Sequence, residues 1–164
     1  MKLFTSILSL LFSLQISSQL VDKANEIGIN HLFNDFANMG GGAVFFDFNN
    51  DGWDDLFITG GQDEDSLYKN KGDGSFEKID NIGLSSTANF NTTAVVSGDI
   101  NNDGFRDLFI TTWRENQGAG GFGRNLLFIN NGNETFTEAG ISWGLTEKSF
   151  SMGASMLDYN NDGL

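Results

Sequence analysis

Asp47, Asn49, Asp51 and Asp55 place oxygen-bearing side chains at positions 1, 3, 5 and 9 of a stretch that reads D-x-N-x-D-G-x-x-D, with Gly52 at position 6. Alternate residues of an extended approach share one side, and a glycine permits the sharp turn that lets one short loop wrap an ion. Hard oxygen donors arranged this way suit calcium, which takes roughly six to eight of them. The carbonyl of Trp53, at position 7, would add a backbone donor. Asn, Asp and Gly are also ordinary turn residues, so one copy reads equally well as a polar hairpin turn.

The stretch recurs. Asp99, Asn101, Asp103, Gly104, the carbonyl of Phe105 and Asp107 repeat every position, and Asp158, Asn160, Asp162 and Gly163 begin a third copy. The copies lie 52 (99 − 47) and 59 (158 − 99) residues apart. Val44-Phe45-Phe46 precedes the first, and Leu-Phe-Ile-Thr follows the first two, at 56–59 and 108–111. Apolar, β-prone runs on both sides make each unit a strand–loop–strand. An EF-hand would close with a Glu at position 12; here that position is Ile58, so the site must close at Asp55 and leave as a strand.

Other landmarks keep the period. Leu67-Tyr68-Lys69-Asn70-Lys71-Gly72 matches Leu127-Phe128-Ile129-Asn130-Asn131-Gly132, and each reads as an outer hairpin with a Gly/Asn turn. Gly28-Ile29, Gly83-Leu84 and Gly140-Ile141 precede the three loops. The longer second period traces to the Gly-rich residues 114–124, which read as a loop insertion. Several short strands per unit of about 50 residues predict β-propeller blades, each burying its faces on its neighbours. Dockerin-type calcium repeats would need a shorter period and helices after each loop.

Together these features resemble the FG-GAP repeat family, also called VCBS-like repeats. Gly42-Ala43, Gly153-Ala154 and the Asp-x-Asn-x-Asp-Gly-x-x-Asp-Leu loops carry the resemblance, from about Gly28 onward. The stretch from Met39 to Asp47 is similar to secreted, cartilage acidic protein-like proteins whose repeats precede an ASPIC/UnbV domain. The resemblance implies an all-β, integrin-α-like seven-bladed propeller with calcium in the blade hairpins. Two blades and part of a third are present, with loops at 47–55, 99–107 and 158–164, and no ASPIC/UnbV segment is visible. An N-terminal fragment of a longer protein is the expectation.

Residues 1–19 read as a secretory signal: Lys2 is followed by an apolar run over residues 3–16, short for a membrane span, and Ser17-Ser18-Gln19 offers a cleavage region. The repeat region is then 20–164. There is no Cys and no Pro, but 21 Gly and 16 Phe suit many tight turns and aromatic packing between blades. An exported chain without disulfides needs another source of stability, and bound calcium would supply one. The net charge of −13 excludes nucleic acid as the expected partner. A short helical turn is expected within residues 21–30, and residues 62–65 read as a solvated acidic turn.

Three further signals carry less. Residues 118–123 match G-x-G-x-x-G, but a strand follows where a dinucleotide site needs a helix. His31 is the single His, which leaves no multi-His metal centre, and no G-x-S-x-G nucleophile elbow occurs. Asn91-Thr92-Thr93 and Asn133-Glu134-Thr135 match glycosylation sequons, as chance allows in an Asn-rich chain. Asp54 and Arg106, at position 8, are expected to face solvent. The sequence thus predicts an exported, calcium-binding, non-catalytic propeller module, secreted or at the cell surface, in a bacterial extracellular or periplasmic setting. Its partner would be an extracellular protein or carbohydrate. The alternative is a propeller-scaffold hydrolase or lyase acting on extracellular carbohydrate or phosphoester, since such folds host both.

Overall fold

A computed structural model of the chain describes residues 20–35, 40–116 and 121–160. The expected signal stretch, residues 36–39, residues 117–120 and residues 161–164 of the third loop, Asp162 among them, lie outside the described residues.

The chain forms two antiparallel four-stranded meanders, which are propeller blades. The first runs β1 (Ala43–Phe46), β2 (Asp55–Ile58), β3 (Ser66–Asn70) and β4 (Phe76–Ile79), each strand beside the next in sequence. The second runs β5 (Phe90–Gly98), β6 (Asp107–Glu115), β8 (Leu126–Asn130) and β9 (Phe136–Glu138). Phe46 pairs with Asp55 and Gly98 with Asp107, so each D-x-N-x-D-G stretch is the hairpin loop joining the first two strands of its blade. The expected outer hairpins are present as β3–β4 and β8–β9. The expected helical turn is a single 3-10 turn, Asn25–Ile27.

Leu56, Phe57, Leu67 and Tyr68 in the first blade, and Leu108, Ile110, Leu126 and Phe128 in the second, are buried. Such continuous apolar runs mark strands covered on both faces. Phe46, Phe48, Phe57, Leu67 and Phe128 with Phe136 belong to one core cluster shared by both blades, and the Phe48 and Phe136 rings stack with centroids 6.3 Å apart. The blades therefore bury their faces on each other. Gly42 makes this possible at the inner strands, because a Cβ there would sit 2.7 Å from the Ala94 Cα.

The structure corrects three sequence expectations. The first concerns the connector glycine before the third loop. Gly28 and Gly83 hold φ of 90° and 94°, and their third counterpart is Gly144 at 83°; Gly140 is not left-handed. Gly144-Leu145 matches Gly83-Leu84 in sequence as well, and connector length varies enough to hide it. The second concerns residues 114–124, which are not simply an inserted loop. They lengthen β6 to nine residues and add β7 (Gly123–Arg124), which pairs with β10 (Lys148–Ser149) in a separate two-stranded sheet. The third concerns Asp65, which is buried, although its neighbours Asp63 and Glu64 are exposed.

The third unit joins the second blade much as the second joins the first. Thr92 N–H donates to the Gly61 carbonyl (2.9 Å), and Ser151 N–H to the Thr112 carbonyl (3.0 Å). Residues 150–158 form no strand. An inner strand pairs only with the strand after its loop, and no such partner for residues 154–157 is among the described residues.

Candidate functional site

The two complete loops are built bond for bond alike. In the first, the Asp47 carboxylate accepts the N–H groups of Asp51 (3.1 Å) and Gly52 (2.8 Å). Asn49 Oδ1 accepts the same Asp51 N–H at 3.2 Å, and Asp51 Oδ1 accepts that of Trp53 at 3.0 Å. In the second, Asp99 accepts from Asp103 (3.1 Å) and Gly104 (2.8 Å), Asn101 Oδ1 from Asp103 (3.2 Å), and Asp103 Oδ1 from Phe105 (2.8 Å). Asn49 Nδ2 donates to Asp51 Oδ2 at 3.0 Å, and Asn101 Nδ2 to Asp103 Oδ2 at 2.8 Å. The chain turns through left-handed backbone at Asn50 and Asn102 (φ 58° and 59°) and again at Gly52 and Gly104 (φ 89° and 88°).

Asp55 and Asp107 stand apart from the other acids of their loops in being fully buried. Asp55 accepts the N–H groups of Phe48 (3.1 Å) and Asn70 (2.8 Å), and Asp107 those of Ile100 (2.9 Å) and Asn130 (2.8 Å). Each thus ties the start of its loop to the end of the third strand. Burial raises the pKa of both above the usual carboxylate value, against the lowering effect of those N–H donors. Asp51 and Asp47 raise Asp55 further by repulsion, as Asp103 and Asp99 do Asp107, so the three carboxylates of each loop feel one another.

That shared repulsion bears on whether a cation fits. Three carboxylates, a carboxamide and a backbone carbonyl form a hard oxygen set of the kind calcium takes. Asp47 folds over the loop towards Asp51 rather than away from it. No group of three or more His, Cys, Asp or Glu side chains among the described residues converges tightly enough to be a finished metal cage. The loops therefore match calcium in donor type, without three acids drawn together as a cage. In this geometry their own N–H groups hold the acid oxygens. Asp158 and Asn160, the described residues of the third copy, are exposed and outside any strand.

Several residues in these loops carry roles that the spacing alone did not assign. Asn70 and Asn130 close the buried carboxylates with their N–H groups, and Asn130 Nδ2 donates to the Phe48 carbonyl of the other blade at 2.7 Å. Their signal is the shared Asn in the two hairpin sequences. Asn50 and Asn102 supply the first left-handed residue, a conformation that Asn tolerates; their signal is an Asn at position 4 of every copy. Glu134, at the tip of the β8–β9 hairpin, reaches the first blade's loop and accepts from Asn49 Nδ2 (3.1 Å) and Lys69 Nζ (2.8 Å). Trp53 and Phe105 lay their rings over Gly72 and Gly132 of the outer hairpins.

The remaining candidates fall elsewhere. His31 Nε2 bonds the Thr59 carbonyl at 2.9 Å, a structural role. Asp54 and Arg106 face solvent as expected. Asn91 is buried, which removes its sequon from consideration, while Asn133 sits on an exposed hairpin turn.

Residues 47–110, from the first loop into the second blade's β6, match the family model for the FG-GAP-like repeat. No curated protein and no solved structure matches the chain. The matched segment opens at Asp47 and ends at Ile110, and the second sheet repeats the first strand for strand, so the chain carries an FG-GAP-like repeat over residues 47–110.

Proposed function

We propose that this chain is an exported, non-catalytic propeller module whose blade loops hold calcium and whose surface binds an extracellular protein or carbohydrate. The observation that carries the calcium reading is the duplicated loop, in which three carboxylates and an Asn recur at the same positions with the same hydrogen bonds in each blade. A turn needs no such concentration of charge, whereas a divalent cation offsets it. Asp47, Asn49, Asp51, Trp53 and Asp55 would hold one ion, and Asp99, Asn101, Asp103, Phe105 and Asp107 a second. Asp158, Asn160 and Asp162 begin a third site. Bound calcium would supply charge neutralisation at the loop. The chain's own residues set the loop's shape: Asp55 and Asp107 anchor it to the third strand, and Trp53 and Phe105 fix its exit on the outer hairpin.

Export is supported by the apolar residues 3–16 behind Lys2. No helix among the described residues is long and apolar enough to cross a membrane. The loop acids are committed to backbone N–H groups, so they offer the hydrolase or lyase alternative little free acid–base chemistry. Calorimetric titration of the full chain tests the calcium reading. It should show binding with a Kd of about 10⁻⁴–10⁻³ M, the range of extracellular calcium modules. Asp51→Ala and Asp103→Ala should each remove one site and leave the other. A chain that takes up no calcium at ten millimolar, or that binds it equally after both substitutions, would overturn the reading.

A further inference from the structure

The two complete loops differ in one respect. Lys69, on β3, points its ammonium at the first loop, 3.8 Å from Asp51 Oδ2. Glu134 of the other blade shares it: its Oε1 accepts Lys69 Nζ at 2.8 Å while also accepting Asn49 Nδ2 at 3.1 Å. A chain of contacts thus runs Asp51, Lys69, Glu134, Asn49 and back through the Asn49–Asp51 bond. Among the described residues, the second loop has no such cation. The residue before Asn130 that corresponds to Lys69 is Ile129, and Arg106 turns away to the Ser97 carbonyl at 2.8 Å. Glu134 has no counterpart in the first hairpin, where Gly74 takes its place.

We propose that Lys69 competes with a cation for the acids of the first loop and is shared between Asp51 and Glu134 across the joint between the blades. This inference rests on the calcium reading given above. An ion entering the loop meets a positive charge already placed on one of its acid ligands. Filling the first loop therefore requires Lys69 to withdraw towards Glu134, which remains as its partner. The ion's site is coupled to the blade joint in this loop and not in the second. Lys69 and Glu134 are both partly exposed, so neither is needed to fill the core.

Trp53 provides a local readout. It stands at position 7 of the first loop and can sensitise terbium luminescence there, whereas the second loop carries Phe105. Asp51→Ala, which should abolish the signal, assigns it to the first loop. Displacement of terbium by calcium in the full chain then gives the filling of that loop, and calorimetry gives the second. Lys69→Met should lower the calcium concentration that half-fills the first loop by about three- to tenfold, as expected for removing one charge at this range in a solvated setting. Glu134→Gln should raise it by about two- to threefold, because the ammonium loses its alternative partner and the loop loses a nearby negative charge. Both effects should shrink in high salt, and the second loop should not respond. An unchanged or weakened first loop in Lys69→Met, with calcium still bound, would overturn the competitor while leaving the calcium reading intact. Tighter binding in Glu134→Gln would overturn the role of Glu134 as the ammonium's alternative partner. Failure of either loop to bind would overturn both readings together.

Discussion

At the scale of single residues, the acids of each loop divide by burial. Asp103 is exposed and accepts the Phe105 N–H, whereas Asp107 is buried and holds Ile100 and Asn130. An orphaned buried N–H costs about 1–3 kcal/mol. In the presence of chelator, Asp107→Ala should therefore lose about 2–4 kcal/mol in denaturant unfolding, while Asp103→Ala should lose about 1 kcal/mol or less. Equal losses would show that Asp107 serves only as a ligand. The 1-3-5-9 spacing made both residues legible as oxygen donors. It could not separate them, because the partners that bury Asp107 include Asn130, on a strand 23 residues further along the chain.

At the scale of elements, strands and loops followed from period and turn chemistry, while the joints between blades did not. Asp65 shows why. Asp63-Glu64-Asp65 looks like a solvated run, yet Asp65 Oδ1 accepts the Gly60 N–H (2.7 Å) and the Thr92 hydroxyl of the next blade (2.6 Å). Its other oxygen is buried without a hydrogen-bond partner. Desolvation pushes its pKa up to about 7, against those two bonds and with a small push from Glu64. The folded chain then holds a proton on Asp65 that the unfolded chain releases near pH 4. Stability contributed by this group is greatest below about pH 4, falls as pH rises towards 7, and is level above that. Asp65→Asn should flatten this part of the pH–stability curve measured by denaturant unfolding. An unchanged slope between pH 4 and 7 would remove Asp65 from the joint's titration. Gly144 was hidden for a different reason: it ends a local turn, its N–H donating to the Ile141 carbonyl at 3.1 Å, and the connectors that carry such turns differ in length.

At the scale of the whole molecule, two blades share one aromatic core and a third unit begins to dock on the second through Ser151. The repeat period and the Phe-rich composition made this blade-on-blade packing legible. The second blade's longer β6 and the added β7–β10 pair were hidden in a Gly-rich stretch that carries no strand period. The central claim is that calcium holds these blades by mass action at their loops. At millimolar calcium and a Kd of about 10⁻⁴ M, each filled site adds about 1.4 kcal/mol, so two sites contribute a few kcal/mol. Magnesium should substitute poorly, because it demands tighter octahedral geometry. The most direct measurement is thermal unfolding of the full-length chain in calcium, in magnesium and in chelator. The account predicts a Tm higher by roughly 5–10 °C in calcium than in chelator, with magnesium near the chelator value. A Tm unchanged across all three would contradict it and leave the D-x-N-x-D-G loops as hairpin turns.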